Sequence, residues 1–198
     1  MPHLSPFKLA IVLPTLLCSS FISPLAVQSP DGPLPTIPKA EARTLPRKKS
    51  TTIIPTKLSI PSLKISASVQ HIGLLADGQL DVPASGQMLG WYELGAKPGA
   101  RGNAIIDGHL TTSEGPGTFW TLKNIKAGDL IEVEDESGKT LQFKVRKTAV
   151  YHVDHAPMEE IFGKTEGKHL NLITCAGRWN TAMDHYEKRL IVYSDLVE

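Results

Sequence analysis

Cys175 closes the apolar run "LNLIT" and is one of only two cysteines in the chain. The other, Cys18, lies in an apolar N-terminal segment, so Cys175 has no disulfide partner in its own region. An unpaired cysteine is either a small buried hydrophobe or a reactive thiol. A free thiol titrates near about 8.5, so nucleophilic work at neutral pH needs a base or a cation beside it. Of the seven histidines, His109 has a matching setting. It follows the apolar run Ala104-Ile105-Ile106 and then Asp107-Gly108, as Cys175 follows its own run. The remaining histidines of this region, His71, His152, His155, His169 and His185, have no flanking pattern that sets them apart. Two arginines follow the cysteine. Arg178 reads as a loop residue, and Arg189 opens the run "KRLIVYSDLV". If that last strand pairs beside the cysteine strand, Arg189 returns to the same end. A thiol nucleophile, an imidazole that moves protons and a guanidinium that stabilises an oxyanion are the parts of covalent acyl transfer.

The elements that would carry these residues are short strands. "TKLSIPSLKISASVQHIG" alternates apolar and polar residues, as half-buried strands do. Asp77-Gly78 in "LLADGQLDVP" is a hairpin-type turn. "GNAIIDGH" reads as an inner strand, and "GTFWTLKNIKAGD" as a short helix or turn. "LIEVEDESGKTLQFKVRKTAVYHV" alternates on both sides of Ser137-Gly138 and reads as a hairpin. "APMEEIFG" is a short helix with Pro157 in its first turn. "KHLNLITC" and "KRLIVYSDLV" are the final two strands. Seven or eight strands with few helices predict a mainly β fold, a closed or nearly closed barrel. In such a barrel Cys175, at a strand end, would sit on the rim.

The region before about Thr51 is different. Leu9 to Val27 holds no charged residue, and its length suits a bilayer-crossing helix or a secretory signal. Residues 1–27 therefore read as a membrane anchor or signal segment. Residues 28–50 are rich in proline and poor in large apolar side chains, which predicts an extended linker. Nine of the fifteen prolines fall in the first fifty residues, so the folded domain is expected over 51–198. An anchor, a spacer and a domain make the layout of an enzyme held outside a membrane.

Net charge is +1, which gives no electrostatic case for a nucleic-acid partner. Neither a P-loop nor a dinucleotide glycine fingerprint is present, so no cofactor is expected. Asp154, Glu159, Glu160 and Glu166 are the acids a calcium site would draw on, and scattered surface acids are the simpler reading. "HVDH" lacks further ligands at zinc spacing, so no metal is expected.

The chain resembles the sortases, cysteine transpeptidases mainly of Gram-positive bacteria, from roughly Ile53 to Val197. The resemblance lies in "GNAIIDGHL", "LITCAG" and "YEKRLIVYSDLV", supported by "KLSIPSLKI", "DGQLDVP", "GWYELGAKPG" and "IKAGDLIEV". "TCAGRWN" and "GWYELGAKPGARGNAIIDGH" look most like class F, with classes D and E as alternatives. The resemblance implies an eight-stranded sortase barrel outside the cell. It implies cleavage of an LPxTG-type sorting signal between threonine and glycine, then transfer to an amine of the cell wall or of another protein. It implies that Cys175 is the nucleophile and forms the thioacyl intermediate. By the same resemblance His109 is the acid–base and Arg189 stabilises the substrate and oxyanion, while Thr174 hydrogen-bonds the substrate. The partners implied are secreted proteins with a C-terminal sorting signal, an amine acceptor and the membrane. An exported cysteine hydrolase with the same three residues is the second reading, differing only in using water as acceptor. A non-catalytic surface-binding barrel is the third, and it predicts that Cys175→Ala is silent.

Overall fold

In the computed structural model, which describes residues 52–198, apolar alternation closes a sheet on itself. The strands are β1 (Pro55–Ile60), β2 (Ile65–Ile72), β3 (Leu89–Tyr92), β4 (Gly102–Gly108), β5 (Thr111–Thr112), β6 (Gly115–Pro116), β7 (Leu130–Asp135), β8 (Thr140–His152), β9 (Lys168–Asn180) and β10 (His185–Leu196). Eight of them form a closed barrel in the order β1-β2-β3-β4-β9-β10-β8-β7, and β5 and β6 make a separate small hairpin. Closure leaves no unpaired edge. The β2–β3 and β4–β9 pairs are parallel and the rest are antiparallel.

Helices are few and short, as expected. The segment "LKN" is one 3₁₀ turn, and α1 spans Met158–Phe162 with Pro157 at its N-cap. The turn at Ser137-Gly138 is fixed by Asp135, whose Oδ1 accepts the Ser137 amide, the Ser137 hydroxyl and the Lys139 amide. Among the described residues no helix is long and apolar enough to cross a membrane. The anchor expected over 1–27 and the linker over 28–50 lie outside the described residues.

Side chains of alternating parity sort to two faces. Leu58, Leu89, Ile106, Ile131, Phe143, Leu170, Leu172, Leu190 and Val192 fill the barrel interior. Their neighbours Ile105, Ile173, Ile191 and Tyr193 form a second cluster on the outer face of β4, β9 and β10, capped by Ile161 of α1. Buried Asn171 pins that cap, since its Nδ2 donates to the Ile161 carbonyl at 2.9 Å. Asn103 Nδ2 does the same to the Gly163 carbonyl at 2.9 Å. The central strands therefore carry apolar residues on both faces, and the outer one is covered only in part.

The end of the cysteine strand differs from the sequence reading. The strand that holds Cys175 does not stop there but runs on to Asn180. It passes a bulge, where the pairing shifts from Lys188↔Ala176 to Tyr186↔Trp179. Gly177 sits in that bulge at φ +81, a left-handed conformation that glycine adopts without a Cβ clash. Arg178, expected in a loop, is thus a strand residue. Beyond the bulge the hairpin holds together through an edge-to-face contact of Trp179 and Tyr186, centroids 5.2 Å apart.

Candidate active site

Cys175 and Arg189 are directly opposed on neighbouring antiparallel strands. Opposed residues project to the same face, so thiol and guanidinium share one face. That face is the outer one, in line with Ile173 and Ile191, and not the barrel rim. Because β9 continues past Cys175, the cysteine lies within the sheet, and its parity with Ile173 puts it on the outer face. On the other side of β9, β4 runs parallel with Asp107 level with Ile173. The paired register ends there, and His109 stands two residues beyond Asp107, just past the end of β4.

His109 follows the last residue of β4, as the glycine before it suggested. Its backbone carbonyl accepts the Phe119 amide at 3.0 Å, and Gly117 packs so closely that a Cβ there would come within 2.4 Å of the same oxygen. Its ring Nε2 lies 2.9 Å from the Pro83 carbonyl oxygen. A carbonyl only accepts, so Nε2 carries a proton in this arrangement and Nδ1 is left to exchange one.

Arg189 is held by backbone oxygens. Its Nη1 donates to Tyr186 O at 2.8 Å and to Lys188 O at 2.9 Å. Tyr186 O also lies 2.9 Å from Nδ1 of His185, whose buried Nε2 has no hydrogen-bond partner among the described residues. Tyr151 of β8 stands opposite Arg189 on the flank away from Cys175, and accepts a 3.4 Å hydrogen bond from the Tyr193 hydroxyl. Burial pushes the Tyr193 phenol well above its ordinary range, with the Tyr151 bond adding to it.

The charge balance turns on a residue that the sequence reading passed over. Asp107 lies on β4, two residues before His109. Desolvation raises its pKa from the ordinary 3.8 to about 6, against the opposing pull of His109, of Arg189 and of the Gly108 amide. The Cys175 thiol is pushed up as well, first by burial; Arg189 pulls it down and Asp107 pushes it up. Carboxylate, imidazole, guanidinium and thiol are thus one electrostatic unit. Its net effect leaves the resting thiol protonated at neutral pH, in need of a base. A local signal for Asp107 does exist. It is the one charged residue of the strand "GNAIIDG".

Thr174, expected to touch substrate, has the opposite parity to Cys175. Its side chain is buried, and its hydroxyl donates to Gly108 O at 2.7 Å. It therefore ties the cysteine strand to the residue that precedes His109. The acids weighed for calcium are dispersed: Glu160 pairs with Lys147, Glu166 with Arg101, and Asp154 with His152. Among the described residues no three His, Cys, Asp or Glu side chains come together as a metal site.

Comparison with known proteins agrees with this architecture. The family model for the sortase domain matches residues 58–197. The chain belongs to the sortase family. It is thereby an enzyme of the cysteine transpeptidase type, acting on proteins that bear a sorting signal. Among solved structures, sortase C-1 from Actinomyces oris superposes with a TM-score of 0.57 at 21% identity, over 72% of this chain and 73% of that one. Sortase A from Corynebacterium diphtheriae gives a TM-score of 0.57 at 21% identity, over 74% of this chain and 62% of that one. A Clostridium perfringens sortase D5 transpeptidase gives 0.54 at 19% identity, over 72% and 78%. At these identities the structures speak for the fold of this sortase and leave its class open. No curated protein matches the chain.

Proposed function

We propose that this sortase cleaves an LPxTG-type signal between threonine and glycine and transfers the threonyl acyl group to an amine. The carrying observation is the cross-strand opposition of Cys175 and Arg189, with Asp107 on the neighbouring strand β4 leading to His109 just past its end. His109 takes the proton of the Cys175 thiol, the resulting thiolate attacks the threonine carbonyl carbon, and the carbonyl electrons move to oxygen. Arg189 faces that oxyanion with a guanidinium already oriented by two carbonyls, so little reorganisation is needed. As the intermediate collapses, the C–N bond breaks and protonated His109 gives its proton to the departing glycine nitrogen. The product is a thioester on Cys175. An incoming amine attacks it, His109 takes back the proton and the thiolate leaves. One difficult displacement becomes two easier ones.

Support for the substrate class comes from the sequence resemblance, and the class F reading rests on "TCAGRWN" and "GWYELGAKPGARGNAIIDGH". The apolar outer cluster supports it physically. Tyr151 and Ala156, both partly buried, border the face of Cys175 and suit the apolar residues of such a signal. The role proposed for Thr174 is through its backbone, since its hydroxyl is committed to Gly108. The domain is proposed to work at the cell surface, tethered through residues 1–27. The acceptor is proposed to be an amine of the cell wall or of a second protein.

The test is mass spectrometry of the chain incubated with LPxTG-type peptides, with and without an added amine. The expected result is a thioacyl adduct on Cys175, absent in Cys175→Ala, and an amide product when amine is present. Hydrolysis alone in the presence of saturating amines would favour a hydrolase. The absence of any adduct, with function unchanged in Cys175→Ala, would favour a binding barrel.

A further inference from the structure

A pocket of ≈ 380 Å³ opens beside His109, and Cys175 and Arg189 do not line it. Two segments far apart in sequence build it: Ala84–Gln87, and the hairpin β5–β6 with the turn at Ser113 and Glu114. The walls are tied together. Thr118 donates both its amide and its hydroxyl to the Gly86 carbonyl, each at 2.9 Å. The Glu114 amide donates to Thr112 Oγ1 at 3.1 Å, and Thr111 Oγ1 lies 2.9 Å from the Tyr186 hydroxyl on the β9–β10 hairpin. His109 joins the first segment through Pro83 O. The pocket is preformed, and its volume falls in the low part of the roughly 300–1,000 Å³ typical of small-ligand sites.

Its chemistry is selective. The lining offers the hydroxyls of Ser85, Thr111, Thr112 and Ser113, the amide of Gln87 and the carboxylate of Glu114. It contains no lysine and no arginine. A separate groove, by contrast, is lined by Lys64, Lys123 and Lys126. A site that combines one carboxylate, several acceptor oxygens and an imidazole fits a ligand that arrives as an ammonium and must lose a proton. A carboxylate- or phosphate-bearing group would meet Glu114 and find no cation.

We propose that this pocket is the acceptor subsite, which takes the amino group of a short peptide, with Glu114 drawing the ammonium in and His109 removing its proton. The inference rests on the transpeptidase reading above and adds where the second substrate binds. The acyl group occupies the side of Cys175 and Arg189, and the amine approaches from the side of His109 that these two residues leave free. Ammonium is paired with the Glu114 carboxylate in the encounter. The ammonium first gives one proton to solvent and becomes the neutral amine; on attack the nitrogen forms its bond to the thioester carbon, a second proton passes from it to His109, and sulfur departs with the C–S bonding pair. The leaving glycine amine exits by the same route in the first half-reaction.

The experiment uses the full chain, an LPxTG-type donor peptide and triglycine amide as acceptor. Thioacyl formation is followed without acceptor, and transpeptidation against acceptor concentration. Glu114→Gln is expected to raise the acceptor KM by roughly two- to fivefold, the range of an exposed ion pair, with kcat at saturating acceptor retained. Glu114→Lys raises it further, and added salt shrinks the difference between parent and variant. Ala84→Trp, which fills the pocket from an exposed position, raises the acceptor KM by an independent route. Normal thioacyl formation with an acceptor KM unchanged in all three variants overturns the subsite and leaves the transpeptidase standing. No thioacyl on Cys175 with any donor overturns both.

Discussion

Asp107→Asn exchanges the partly buried carboxylate of the site for a neutral group of the same shape. The pKa of Asp107 is raised from the ordinary 3.8 to about 6. At about 1.36 kcal/mol per pH unit that interval is worth roughly 3 kcal/mol. Water that still reaches the side chain screens part of it, which leaves about 1–3 kcal/mol. The direction follows from proton linkage. A carboxyl whose pKa is raised on folding holds its proton more tightly in the native state. Its favourable contribution is complete below 3.8 and is lost as pH rises through about 6. Asparagine does not titrate, so the variant matches the parent near about pH 4 and exceeds it by about 1–3 kcal/mol at about pH 8. Urea unfolding across that range measures the difference directly. The same pair is compared in a His109→Gln background, which removes the imidazole that acts on the Asp107 carboxylate. A difference that stays constant with pH, or a variant less stable than its parent at the alkaline end, would refute the reasoning. A stability gain accompanied by slower transpeptidation would show why the carboxylate is kept.

The other predictions concern the groups around it. The pH midpoint for alkylation of Cys175 by iodoacetamide should fall in Asp107→Asn and rise in Arg189→Gln, because the carboxylate pushes the thiol up and the guanidinium pulls it down; unchanged midpoints in both would contradict the shared electrostatics. Arg189→Lys should lose about 10²–10³ in the rate of thioacyl formation, since an ammonium does not reproduce the planar fork that replaces an oxyanion donor. Thr174→Val should lower stability by about 1–2 kcal/mol through the unpaired Gly108 carbonyl; unchanged stability with a higher donor KM would instead return its hydroxyl to the substrate. Gly117→Ala should keep the barrel, by circular dichroism, yet cut turnover at least tenfold, because the added Cβ meets the His109 carbonyl and displaces the imidazole.

His109, Cys175 and Arg189 could be named from sequence because each borders an apolar run. An apolar strand followed by glycine and histidine marks where the imidazole emerges, and the structure puts His109 just past β4. The face on which Cys175 projects could not be read that way. Both faces of β9 carry apolar residues, Leu170 and Leu172 inward and Ile173 outward beneath α1. Period-two alternation then has no polar side to identify the outside, and a reading that is one residue off exchanges Thr174 for Cys175. The polar stretch after Cys175 suggested a loop because a bulge at Gly177 carries the strand onward, paired by Trp179 and Tyr186. Asp107 was overlooked because its importance comes from burial, and burial comes from neighbours outside its own strand.

What the sequence alone determined is the set of reactive residues, the alternation of short strands and the family motifs that join them. These are properties of the chain within a few residues of each position, where strand period, turn chemistry and side-chain type act directly. What only the tertiary structure decided is which groups meet. The antiparallel pairing of β9 with β10 opposes Cys175 to Arg189, and the parallel pairing of β4 with β9 brings Asp107 alongside, two residues before His109. The same pairings bury Asp107 among them and turn Thr174 inward. Register and desolvation are long-range quantities, set by barrel closure and by the α1 cap, and no local window of sequence contains them.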